Sequence, residues 1–172
     1  MLTRIYAYKR RHTHTGNLNF FFLALALGFY HFSYGQTDIK YVNPTGTYHL
    51  VGKTKKKDGD VYGWFGTIQV KTLTANKIAM TFYICKGAPS YNSGSFVDTL
   101  YYSDNKAIYA DEDTAKKCVT TFVFSTKEIT VSESANYDLG TCWGHGVVAF
   151  GQFRKKSSKV PVLIEPLTGD KL

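Results

Sequence analysis

The sequence predicts an all-β protein, an eight-stranded antiparallel up-and-down barrel, and three observations carry that prediction. Tyr (13), Phe (12) and Gly (15) are abundant among the 172 residues while Pro contributes only 4, a composition that suits twisted sheet better than helix. Apolar and polar residues alternate with a period of two between clusters of turn residues. Between those runs there is no amphipathic helix of the roughly 10–15 residues that a parallel crossover needs. Neighbouring strands should therefore pair in chain order, and closing them into a barrel removes the open edges. With 44% hydrophobic residues and 20% charged ones, the chain belongs among globular proteins, and one domain is expected.

Residues 1–35 are read separately. Arg4, Lys9, Arg10 and Arg11 occur in the first nineteen positions without an acidic residue, an apolar stretch follows at 20–28, and Ser33 and Gly35 place small residues three and one positions before Gln36. This is the pattern of a secretory signal peptide cleaved after Gly35. Its apolar core is about nine residues long where a spanning helix needs roughly 20, so no stable membrane anchor is expected after cleavage. A secreted or periplasmic location follows. Removal takes 4 of the 21 basic residues and none of the 13 acidic ones, so 17 − 13 leaves a net charge of +4 instead of +8. What remains positive is concentrated at Lys53, Lys55–Lys57 and Arg154–Lys156, short runs that read as solvated turns or strand ends. Without an aromatic stacking platform beside them, no nucleic-acid partner is expected.

The barrel domain is assigned to 36–156. A first strand is predicted at 47–55, with His49 outward between Tyr48 and Leu50, followed by an Asp58-Gly59 hairpin turn. The second, 61–71, puts Tyr62, Trp64, Ile68 and Val70 on one face and Thr67, Gln69 and Lys71 on the other. The third, 77–86, alternates Ile78, Met80, Phe82 and Ile84 with Ala79, Thr81, Tyr83 and Cys85, a period no helix keeps. Residues 87–94 read as a long polar loop, and further strands are predicted at 96–102, 107–110, 118–125, 129–133 and 147–154. Asp98, between Phe96 and Leu100, is expected to point inward, where it requires a hydrogen bond. Eight strands leave an interior that is either filled by side chains or holds one small ligand. The tail, 157–172, carries Pro161 and Pro166 and is expected to lie across the barrel or remain loose.

Three cysteines in an exported chain imply one bridge and one thiol left over. Cys118 opens the sixth predicted strand and Cys142 lies in the loop entering the eighth, so joining them would tie that loop to the sheet. Cys85 is then the odd one, packed against the tail or partly exposed. A closed loop of about 25 residues is worth roughly 3 kcal/mol in the chain-entropy account. Zinc is the competing use of three cysteines, but spacings of 33 and 24 lack the paired ligand geometry.

The segments Cys118-Val-Thr-Thr-Phe-Val-Phe124, Ile129-Thr-Val131 and Cys142-Trp-Gly-His-Gly-Val-Val-Ala-Phe-Gly-Gln-Phe153 together resemble the closing half of small exported bacterial β-domains that end in a CGFG-type loop, some of them grouped with periplasmic lysozyme inhibitors. Here Trp143-Gly144-His145 stands for the usual Gly-Phe-Gly, and Phe150 and Phe153 replace an Asp and a Tyr. The resemblance implies a barrel of calycin or lipocalin type and a non-enzymatic protein that binds a lysozyme-type hydrolase or another extracytoplasmic protein.

Such a hydrolase works with two carboxyl groups, one protonated and one ionised, so a blocking loop needs hydrogen-bond donors. Lys86 with Ser90, Tyr91, Asn92 and Ser93, on a segment stiffened by Pro89, supplies an ammonium, hydroxyls, an amide and a phenol. Trp143 and His145, set among glycines, form the second candidate loop, with Trp143 otherwise covering one barrel end. No catalytic residue, cofactor or metal is assigned, because G-x-S-x-G, H-E-x-x-H, Walker and dinucleotide patterns are all absent, and Asp111-Glu112-Asp113 reads as a solvated turn. Two alternatives stand beside the inhibitor. One is a carrier of a small apolar ligand, suggested by the aromatic load and by Gly46-Thr-Tyr48, similar to the lipocalin G-x-W. The other is an envelope structural module.

Overall fold

The computed structural model describes residues 40–111 and 115–171. The signal-peptide assignment at 1–35, together with Glu112 and Asp113 of the acidic turn, lies outside the described residues. Nine strands are present among the described residues: β1 (Gly46–Leu50), β2 (Lys55–Lys57), β3 (Asp60–Thr74), β4 (Lys77–Gly87), β5 (Ser93–Ser103), β6 (Lys106–Ala110), β7 (Val119–Phe124), β8 (Glu128–Ser134) and β9 (Gly151–Ser157). All pair antiparallel, each barrel strand with its neighbour in the chain, and β1 pairs with both β3 and β9. Strand β1 with β3 to β9 therefore makes a closed eight-stranded barrel. Strand β2 is a three-residue ribbon on the overhanging start of β3.

The predicted strand at 47–55 is thus two elements. Tyr48 is fully buried with its hydroxyl donating to the Pro44 carbonyl at 2.7 Å, but from Val51 to Lys57 every residue is exposed. With no apolar face to bury, the chain leaves the wall after Leu50 and returns as β2. Asp58 and Gly59 both take positive φ, +52° and +87°, as a type I′ hairpin turn requires.

In β3 the expected inward residues Ile68 and Val70 are buried and Trp64 packs against the core, but Tyr62 is exposed. It sits on the overhang, beyond the end of β1. Strand β4 supplies Ile78, Met80, Phe82 and Ile84, all fully buried. Phe82 is at the centre, its ring 5.0–6.0 Å from those of Phe96, Phe122, Trp143 and Phe153. Side chains occupy that part of the interior.

The opposite face of β4 is also buried at Ala79, Thr81 and Cys85. Along this side of the sheet the tail is laid down: Leu163 is buried, residues 161–163 line a groove with Lys71, Leu73 and Ala79, and the Ser95 hydroxyl donates to the Glu165 carboxylate. Of the two fates expected for the tail, docking across the barrel is the one realised. Cys85 is a free, fully buried thiol.

Asp98 does not point into the core. The β5–β6 ladder holds only at Tyr102↔Ala107 and Ser103↔Lys106, so the wall is open beside Asp98. Its carboxylate is exposed and accepts from the Thr99 N–H at 2.6 Å. The last strand starts at Gly151, four residues later than predicted. Val147 and Ala149 are fully buried, yet they lie on the loop that closes the barrel end, where the Ala149 N–H donates to the β8 side chain of Glu133, Oε2, at 2.7 Å instead of to a strand backbone. His49 faces solvent, as its alternation with Tyr48 implies.

Candidate functional site

Two stretches of sequence singled out separately form one surface. The β4–β5 connection is shorter than the predicted 87–94, because Gly87 belongs to β4 and Ser93 and Gly94 to β5, with Ser93 in register with Cys85. The loop proper is 88–92. It is closed by Tyr91 N–H donating to the Gly87 carbonyl at 2.9 Å and Lys86 N–H to the Asn92 carbonyl at 3.0 Å.

Loop 140–150 folds down against it. The Asn92 side-chain amide donates to the His145 carbonyl at 2.7 Å. Gly94 and Gly144 permit the contact: a Cβ on Gly94 would stand 2.4 Å from Trp143 Cβ and 2.6 Å from its carbonyl oxygen, and one on Gly144 would stand 2.6 Å from the Ser93 carbonyl oxygen. The Lys86 ammonium reaches over Gly146, at 3.0 Å from where a Cβ would be. Within the second loop, the Thr141 hydroxyl contacts the Gly144 carbonyl and accepts from the Gly146 N–H at 3.0 Å.

The disulfide joins Cys118 to Cys142, with Cα atoms 5.8 Å apart, and so anchors this loop to the start of β7. Trp143 is spent on packing. Its indole lies 5.0 Å from Phe82, 5.7 Å from Phe96 and 5.3 Å from Tyr109, closing the barrel end from inside. His145, its neighbour but one, is exposed.

The β2–β3 hairpin is a third contributor that sequence reasoning missed. The Tyr91 hydroxyl donates to Asp60 Oδ1 and accepts from the Val61 N–H, both at 2.9 Å, and the Ala88 N–H donates to the Val61 carbonyl at 2.7 Å. Asp58-Gly59 identified the turn, but nothing in a local pattern announces that its hairpin braces a loop thirty residues on. The hairpin brings Lys53 and Lys55–Lys57 to the same barrel end as Lys86, with Asp58 and Asp60 as its acidic residues.

Exposed on this end are therefore His145, Ser90, Tyr91 and the β2 lysines, with Lys86, Asn92 and Ser93 half-buried as supports. Behind the site, burial and then its hydrogen bond to Cys85 push the Tyr83 phenol up to about 12, so it stays a neutral donor through the physiological range. Among the described residues, no three His, Cys, Asp or Glu side chains are grouped to hold a metal ion, and no helix is long and apolar enough to cross a membrane. An arrangement of this kind can present donors and cations to an acidic surface. Compared with protein-family models, with curated proteins and with solved structures, the chain gives no match.

Proposed function

We propose that this is an exported, non-enzymatic binding protein of calycin-like architecture that blocks the cleft of a cell-wall hydrolase with the surface built from residues 86–93 and 143–146. The single observation that carries the reading is the clamping of the two loops onto each other, through Asn92 and His145, the close approach of Gly94 to Trp143 and of Gly144 to Ser93, and the Cys118–Cys142 bond. A plug ordered before it binds loses little conformational entropy on association. In this reading the signal peptide is removed after Gly35 and the barrel acts outside the cytoplasm, where its disulfide persists.

Lys86 is the residue assigned to the hydrolase's ionised carboxylate, with Ser90 and the exposed edge of His145 as flanking donors and the Tyr91 ring, whose O–H is held by Asp60, as a contact surface beside them. The net charge of +4 left after leader removal favours a neutral or acidic hydrolase over a strongly basic one, since like-signed fields slow encounter. Packing of Phe82 among four other rings favours protein binding over carriage of a small apolar ligand, because the middle of the barrel is taken.

The test is a cell-wall lysis assay with hydrolases of several charge classes. Loss of lysis by the acidic or neutral enzymes, relieved by Lys86→Met, is expected. Unchanged lysis across all classes at protein concentrations well above the enzyme's would end the proposal.

A further inference from the structure

The basic residues at the other end of the barrel have no role in that surface. Strand β9 starts at Gly151, beside the joined loops, and ends at Ser157 on the far side, where the turn before β8 meets it: Glu128 is in register with Arg154, and the Lys155 N–H donates to the Lys127 carbonyl at 2.8 Å. Residues 126–128 and 154–158 line a groove there of about 580 Å³.

The cations of this groove are of two kinds. Lys155 is committed to the fold. Its ammonium donates to the carbonyls of Asn43 and Thr45 at 3.3 and 3.2 Å and lies 5.1 Å over the Tyr48 ring. Arg154, Lys156 and Ser158 are exposed and line the groove, Lys156 at a bulge in β9 and Ser158 just past the end of the strand. Among the described residues, the side chains of Arg154, Lys156 and Lys127 make no hydrogen bond or ion pair.

Hydroxyls stand beside these unspent charges. Thr126 and Ser158 line the groove, and Ser157 Oγ accepts from the Lys159 N–H at 3.1 Å, which leaves its own O–H free to donate. Glu128 is the one carboxylate of the lining. It shares a rung with Arg154, yet no ion pair joins them among the described residues. Three free cations against one carboxylate, with three hydroxyls, match a compact anion with several acceptor oxygens, and a guanidinium fork favours a tetrahedral oxyanion bound through two of them.

We infer that this groove is an oxyanion site that takes phosphate groups, independent of the plug at the opposite end. A barrel with such a site is held by phosphate-bearing surroundings at one end while the other stays free for its partner.

The experiment is a titration of the purified protein followed by backbone amide resonances, with inorganic phosphate in one arm and phosphatidylcholine vesicles, with and without phosphatidylglycerol, in the other. Shifts confined to 126–128 and 154–158, and binding at least about tenfold weaker in the Arg154→Glu, Lys156→Glu double variant at unchanged Tm, are expected. The Lys55→Glu, Lys56→Glu control at the other end should bind as the parent does. Response to free phosphate marks a soluble oxyanion ligand. Response only to phosphatidylglycerol vesicles, lost in the groove variant, marks a lipid headgroup as the source. No response in either arm, equal binding by the groove variant, or loss in the β2 control as large as in the groove variant would overturn the inference.

Discussion

Replacing Gly94 by Ala tests whether the two loops are locked as described. An added Cβ would meet Trp143 Cβ at 2.4 Å, its carbonyl oxygen at 2.6 Å and its Cα at 2.9 Å. Two of those three atoms are backbone, so no rotamer change relieves the clash and the whole 141–146 segment must lift. Lifting it takes the indole from its contacts with Phe82, Phe96 and Tyr109. At about 0.5–1.5 kcal/mol for each of the three aromatic pairs, the loss is about 1.5–4.5 kcal/mol. That is a large part of the 5–15 kcal/mol or so that holds a typical domain together. Gly140→Ala is the control for backbone strain alone, since its Cβ enters open space and only the conformation at φ +103° and ψ −176° is strained, a cost of about 1–3 kcal/mol. Urea unfolding followed by circular dichroism measures both. In a Trp64→Phe background the emission of Trp143 should also move to the red in the Gly94 variant, as the ring meets water. A Gly94→Ala protein as stable as the parent, with unchanged emission, would show that the loops are not in contact and would remove the basis for treating them as one surface.

Further outcomes follow from single features. Cys118→Ala with Cys142→Ala should lower the unfolding free energy by roughly 3 kcal/mol in denaturant titrations, and a reductant should reproduce that loss in the parent but add nothing in the variant. The Glu165 carboxyl is held below the usual carboxylate range: slight burial opposes this, but donation from the Ser95 hydroxyl and from the Thr168 and Leu167 N–H groups outweighs it. A depressed carboxyl stabilises the folded form above its unfolded pKa and loses that contribution as pH falls through the folded value. Hydrogen exchange and proteolysis at 158–171 should therefore rise on the acid side of the ordinary carboxylate range, before the barrel itself unfolds. Asp98→Asn should change stability by no more than about 0.5 kcal/mol, measured by thermal melting, because its side chain is in water and, among the described residues, bonds only its own neighbour's N–H. Phe82→Ala should cost about 3–5 kcal/mol, by the same melt.

Much of the wall was legible because a strand's alternation is local. Ile78, Met80, Phe82 and Ile84 sit inward for the reason the pattern states, and the position of Cys142 in an irregular loop sufficed to pair it with Cys118. The departures arise where another part of the chain decides a residue's surroundings. Tyr62 has an apolar neighbour pattern yet lies beyond the rim. Asp98 falls on an inward position but stands where β5 and β6 part. Cys85, on the weaker face of β4, is fully buried, which its place in the alternation does not specify.

The same division holds for the candidate site. Residue chemistry alone marked Lys86, residues 90–93, Trp143 and His145 as able to bind, because ammonium, hydroxyl and imidazole groups carry their capacity wherever they are. Their union into one surface, the bracing by Asp60 and Val61, and the withdrawal of Trp143 into the core came only with the closed barrel. Contacts between positions fifty residues apart depend on how the wall curves and where two glycines let backbones touch, and no repeat within a single strand encodes either.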